Sequence, residues 1–254
     1  MSTSQGSTSS AGSGNASLGA RARARVEVTA AIKDEARRQL AAEGAVKLSL
    51  RAVARELGMV SSALYRYFPS RDDLLTALII DAYDSLGESA EAALARADGA
   101  APAERWIAVC EAVRAWALGH PHEYALIYGS PVPGYTAPEE TIPPAARVGL
   151  VLIGIVRDAL RDHGLARPPL PAALRPEAER MAADLTPDLP PETAVALVAA
   201  WAQLYGLVGF ELFGQFHRVV EDRGPFFRHA AGQLAHGVGL VYAPPQDPTP
   251  RPPD

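Results

Sequence analysis

An all-α fold is what the 254-residue sequence predicts, on three observations. Apolar residues recur at helical spacing almost throughout, as in helices that bury one side. No run alternates Val, Ile, Thr and aromatic residues with polar ones as a half-buried strand does. Proline and glycine clusters, among them Gly44, Gly58, Pro69, Pro121 and Gly224-Pro225, cut the chain into about nine helical segments.

Taken in order, residues 1–20 are mostly Ser, Gly, Thr, Ala, Asn and Gln, with too little apolar surface to repay ordering, and are expected to form a disordered tail. They contain neither the basic start nor the apolar stretch of a secretory signal. The first helix follows, where Val28, Ile32, Ala36, Leu40 and Ala41 mark one face and Lys33, Arg37 and Arg38 fall elsewhere. It is expected to stop at Gly44. Ser49 then offers an N-cap oxygen to a second helix over Leu50–Leu57, with Val53, Ala54 and Leu57 inward and Arg51 and Arg55 outside. Gly58 permits the tight turn that comes next. A third helix, Ser61–Tyr67, presents Ser61, Ser62, Tyr65, Arg66 and Tyr67 and turns Leu64, with Phe68 beyond it, toward the interior.

Two short helices joined by a glycine-containing turn behind a longer supporting helix make a helix-turn-helix. In that arrangement the third helix enters the major groove of double-stranded DNA with its first residues at base edges. Hydroxyl, aromatic and guanidinium groups suit that place, because Ser and Tyr bond phosphate oxygens and Arg forks onto phosphate or guanine. Packing at the helix edge is the alternative account of Tyr65 and Tyr67.

The stretch from Leu50 to Leu75, LRAVARELGMVSSALYRYFPSRDDLL, resembles the N-terminal signature of TetR-family transcriptional regulators: a Leu-Gly turn, then Leu-Tyr-x-x-Phe, then a polar link to a basic residue and a leucine pair. The resemblance implies an all-helical homodimer with one reading head per subunit and a C-terminal ligand-binding and dimerisation domain. It makes Tyr65 a phosphate contact, puts Tyr67 where many members have His, and puts Arg71 where a phosphate-contacting Lys is usual. Ser61, Ser62 and Arg51 match positions near bases or the adjacent backbone. Val60 stands where many members have a capping Ser, so Ser61 is expected to cap the third helix instead.

Arg21, Arg23 and Arg25 alternate with alanines ahead of the first helix. Such an arm lies along a phosphate backbone, reaches into a minor groove, or simply stays solvated. Ser70 and Asp73 form an S-x-x-D start for the fourth helix. That helix continues through Leu74, Leu78 and Tyr83 out of the head and is expected to carry a signal to it.

The organisation expected is thus a helix-turn-helix domain over 21–70, a helical ligand-binding and dimerisation domain over 71–242, and a disordered tail over 243–254 with six prolines. In the body, Trp106, Val109, Cys110, Val113 and Ala117 trace one helix face, with Trp116 beside it. Trp116, Tyr124, Tyr128 and Phe210 are candidates to line a small-molecule site, since helix-lined cavities with aromatic walls hold such ligands; plain core is the other account of each. The segment from Trp201 to Phe213 resembles a TetR C-terminal subfamily named for a Trp-His-Gly motif, with Tyr205 in place of His and Trp201, Gly206 and Glu211 kept. Ala196, Ala200, Gly206 and Gly209 admit a close helix neighbour, and the last helix has a stripe of Phe226, Ala230, Leu234, Gly237 and Val241. Two such helices from each subunit form a four-helix dimer interface by the family resemblance.

Charge agrees with the division. Met1–Arg71 has 11 basic and 5 acidic residues, net +6, whereas Asp72–Asp254 has 13 and 24, net −11. A basic head facing a polyanion and an acidic body repelled by it give this split. The single cysteine excludes an intrachain disulfide scaffold, and the longest unbroken apolar run, Val148–Val156, is too short to span a membrane. The six histidines have no metal-ligand spacing, no phosphate loop or nucleophile elbow is present, and no cofactor is implied. An enzyme is therefore not expected. The function expected is that of a cytoplasmic, dimeric repressor released from a pseudo-palindromic operator by a small-molecule effector. A regulator of the same fold controlled by a protein partner, or by nothing, is the alternative.

Overall fold

The computed structural model describes residues 11–162 and 164–240, with side chains from residue 19 onward. The tail expected over 243–254 lies outside them, as do the first ten residues. Ten α-helices and three short 3-10 turns occur among the described residues, with no strand. The chain divides into two compact units: one holds residues to Leu78 together with Val132–Tyr135, the other holds Ile79–Pro131 and the residues from Thr136.

In the first unit, helix α1 spans Ala11–Glu43. It therefore includes residues 11–20, expected as tail, and the arginines expected ahead of it. Ala and Arg are strong helix formers, which accounts for the helix over residues 20–25; residues 11–19, with three glycines, two serines and an asparagine, have no such propensity, and there the helix is only the continuation of an existing one. Its buried stripe is Ile32, Ala36 and Leu40; Ala41, expected on that face, is exposed. Gly44, at φ 78°, ends it and donates to the Leu40 carbonyl at 3.0 Å. After a 3-10 turn at Ala45–Lys47 come α2 (Leu50–Glu56) and α3 (Ser61–Leu64). Helix α4 (Arg71–Arg96) starts here and continues into the second unit. Its first turn is held by Ser70, whose Oγ accepts from the Asp73 N–H at 3.1 Å and donates to the Asp73 carboxylate at 2.7 Å, the cap expected from S-x-x-D.

The second unit adds α5 (Pro102–Gly119), α6 (Pro121–Tyr128), α7 (Ile142–Asp162), α8 (Arg175–Leu185), α9 (Pro191–Leu212) and α10 (Arg223–Gly237). Helix α5 is central, packing on α6, α7, α9 and α10, and Trp106, Ile107, Val109, Cys110 and Val113 are wholly buried on it. Arginines tie the outer helices to this core. Arg147 on α7 donates to Asp84 and Glu91 on α4, and Arg228 on α10 to Glu104 and Glu111 on α5.

Two stripes differ from expectation. On α10 the buried residues are Phe227, Ala231, Gly232, Leu234 and Ala235, whereas Phe226 and Gly237 are exposed; Val241 is not described. On α9 Ala200 packs inside, and the outward line is Ala199, Ala202, Gly206 and Phe210. Both helices are apolar on more than one side, so periodicity alone did not fix which side the core takes. For the same reason α9 is long and apolar enough to cross a membrane by length and composition: single polar residues break its apolar runs without making it polar. Its Leu197, Leu204, Val208 and Glu211 are buried against the rest of the unit.

Candidate nucleic-acid interface and helical-domain pocket

The head is assembled from short-range bonds. Ser49 Oγ accepts from the Ala52 N–H at 3.5 Å at the start of α2. Gly58, at φ 64°, turns the chain in a left-handed conformation that a side chain resists, so that the Met59 N–H reaches the Ala54 carbonyl at 2.8 Å. Helix α3 ends sooner than expected, with Tyr65 as its C-cap. Pro69 disfavours helical geometry at Phe68, and the Tyr67 N–H closes a tighter turn on the Leu64 carbonyl at 2.8 Å. Leu64 and Phe68 are buried beneath.

Arg51, Ser61, Ser62, Tyr65 and Arg66 are all exposed on this unit, Tyr65 by 41%. Val60 is the N-cap of α3 and no side chain caps it. Ser61 thus does not take the capping role expected of it, because its hydroxyl sits inside the first turn. Tyr67 is half-buried, and the Arg25 guanidinium lies 5.2 Å from its ring centroid. Arg71 points into the head: it donates to the carbonyls of Ala45 at 2.8 Å, Leu48 at 3.2 Å and Val46 at 3.4 Å. Its five-donor fork adds to the Leu48 N–H bond on the Ala45 carbonyl and supplies a donor to the carbonyls of Val46 and Leu48.

In the second unit a pocket of about 320 Å³ is lined by Tyr124, Tyr128, Tyr205, Gly206, Gly209, Phe210, Phe213 and Gln215. Tyr128 stacks on Tyr205 with ring centroids 4.0 Å apart, and the Tyr124 hydroxyl donates to the Tyr205 carbonyl at 2.8 Å. Burial pushes the phenols of Tyr124, Tyr128 and Tyr205 above their ordinary value, so all three walls are neutral hydrogen-bonding groups at physiological pH.

Comparison with known proteins matches residues 32–78 to the family described as bacterial regulatory proteins, tetR family, and residues 106–234 to the tetracyclin repressor-like C-terminal domain. The chain belongs to the TetR family of transcriptional regulators. Among its relatives, the HTH-type transcriptional regulators Mb1846 of Mycobacterium bovis and Rv1816 of Mycobacterium tuberculosis are each 38% identical, over 78% of this chain and 86% of theirs. A solved regulatory protein, SCO4313, is 36% identical with a TM-score of 0.71, over 84% of this chain and 98% of its own. The Trp-His-Gly subdivision is not part of the matched description.

Family membership makes this TetR-family regulator a DNA-binding protein and not an enzyme. Of the four pocket candidates, Tyr124, Tyr128 and Phe210 line the cavity. Trp116 does not: it is buried, donates from Nε1 to Ser85 Oγ at 2.9 Å and stacks on His120, which makes it core. Sequence reasoning missed Tyr205, Gly206, Gly209, Phe213 and Gln215 as lining. The signal was there for the glycines, since two of them one turn apart on an aromatic helix leave room that side chains would fill. Cys110 is wholly buried and its thiol is pushed upward by desolvation, an inert core position. Among the described residues no group of three metal-ligating side chains occurs.

Proposed function

We propose that the protein is a cytoplasmic, homodimeric repressor that binds a pseudo-palindromic operator and is released when a small aromatic or apolar effector fills the pocket between α6 and α9. Arg51, Ser61, Ser62, Tyr65, Arg66 and Tyr67 meet the DNA, with Arg51 and the serines at or beside base edges and Tyr65 on phosphate. Arg71 holds the turn that positions them rather than reaching phosphate itself.

One observation carries the effector reading. Tyr124 and Tyr128 lie on α6, and the chain just after it, Val132–Tyr135, belongs to the same unit as the head, where the Tyr135 and Thr76 hydroxyls are 2.9 Å apart. The chain of α6 thus leads, through residues 129–131, directly into a segment that packs with α4. Two conformations of this segment, differing in affinity for the ligand, are all that release requires. The outward Ala199 and Ala202 on α9 support the dimer, because small residues let a second copy approach closely.

The test is thermal unfolding of the full-length protein with phenol or benzoate, followed by DNA binding with the same compound present. A rise in melting temperature with loss of DNA affinity supports this function. No stabilisation by any small aromatic molecule supports the effector-independent regulator instead.

A further inference from the structure

The helical wheel of α1 separates the three arginines that the sequence presents as one arm. At 3.6 residues per turn, Arg21 and Arg25 fall on the same stripe as Val28, Ile32 and Ala36, whereas Arg23 falls almost opposite. Ile32 and Ala36 are wholly buried and Val28 half-buried, so this stripe faces the head. At Arg25 and Arg21 it continues past the packed region: every residue from Ala20 to Val26 is exposed. The Arg25 guanidinium over the Tyr67 ring confirms the direction. Among the described residues no carboxylate pairs with Arg21, Arg23 or Arg25. Two unneutralised guanidiniums one turn apart thus run outward from the edge of the reading surface, one resting on a side chain of that surface.

We propose that Arg21 and Arg25 form a phosphate-backbone contact that extends the DNA footprint beyond the helix-turn-helix, and that Arg23 takes no part in it. The proposal rests on the DNA-binding role of the head. A ring beneath a guanidinium fixes its position while leaving its N–H edge free, which suits a charge-assisted bond to a phosphate oxygen. Each such contact displaces condensed counterions, so it is read in the salt dependence of binding.

The experiment compares full-length parent, Arg21→Ala, Arg25→Ala and Arg23→Ala on the duplex flanking the protein's own gene and on a scrambled duplex, across a salt series. Arg21→Ala and Arg25→Ala should each flatten the slope of log K against log salt by about 0.9, on both duplexes, and Arg25→Lys should restore it. Arg23→Ala should keep the parent slope. Equal losses at all three positions mean diffuse attraction and overturn the proposal, as do unchanged slopes for Arg21→Ala and Arg25→Ala. A parent that binds neither duplex overturns the DNA-binding reading of the head, and the proposal with it. Exposed alanines in a helix leave folding intact, which unchanged helical circular dichroism checks.

Discussion

Arg114 on α5 and Glu211 on α9 meet in a two-pronged ion pair, Nε to Oε2 and Nη2 to Oε1 both at 2.6 Å, with the carboxylate buried. The Phe227 ring of α10 lies 5.4 Å from the same guanidinium, so one arginine joins three helices of the domain. The hydrogen bonds from Arg114 compensate a charge that burial alone would not tolerate. Arg114→Met should therefore cost about 3 to 5 kcal/mol, by leaving Glu211 buried and unpaired. Denaturant unfolding measures it, and removing both partners in Arg114→Met with Glu211→Leu should recover much of the loss.

Tyr65 and Arg51 separate affinity from specificity. Tyr65→Phe deletes a phosphate-bonding hydroxyl and should weaken binding about equally on every sequence, whereas Arg51→Ala should cost roughly 1 to 3 kcal/mol on the operator and less elsewhere. Competition between cognate and random duplexes distinguishes them. Identical losses on both for Arg51→Ala would remove it from base reading.

Arg71 should act through stability. Its three carbonyl acceptors lie in and just after the turn between α1 and α2. Arg71→Ala removes these bonds and leaves the carbonyl of the buried Leu48 without this donor, which should lower stability by about 1 to 3 kcal/mol, visible in the melting temperature without DNA. A pure phosphate contact would leave that melting temperature unchanged.

High pH should loosen the second unit. Tyr124, Tyr128 and Tyr205 hold their phenolic protons above the ordinary tyrosine value. Above that value, about 10, the unfolded chain has released protons that the folded chain still binds. Stability is then complete below about pH 10 and falls as pH rises further. Tyr205→Phe removes one linked proton and should fall less steeply than the parent in denaturant titrations at increasing pH.

What was legible in the sequence was local. The Ser49 cap, the Gly58 turn and the Ser70–Asp73 start of α4 each depend on residues within one helical turn, so spacing alone placed them. Arg71 was read as a DNA contact because its acceptors are 23 to 26 residues away and carry no pattern. Tyr205 and Phe213 entered the pocket for a similar reason: which side of an all-round apolar helix faces a cavity is decided by its neighbours. The alternating arginines look like an extended arm as text, and only the extension of α1 through them puts Arg21 and Arg25 on one face.

The most direct measurement is a salt-dependent binding titration of the full-length protein against the DNA flanking its own gene, with a scrambled duplex as control. Tight, salt-sensitive binding to the flanking DNA, at two subunits or a multiple per site and well above the scrambled duplex, is the result predicted. Failure to bind either duplex at low salt would contradict the account.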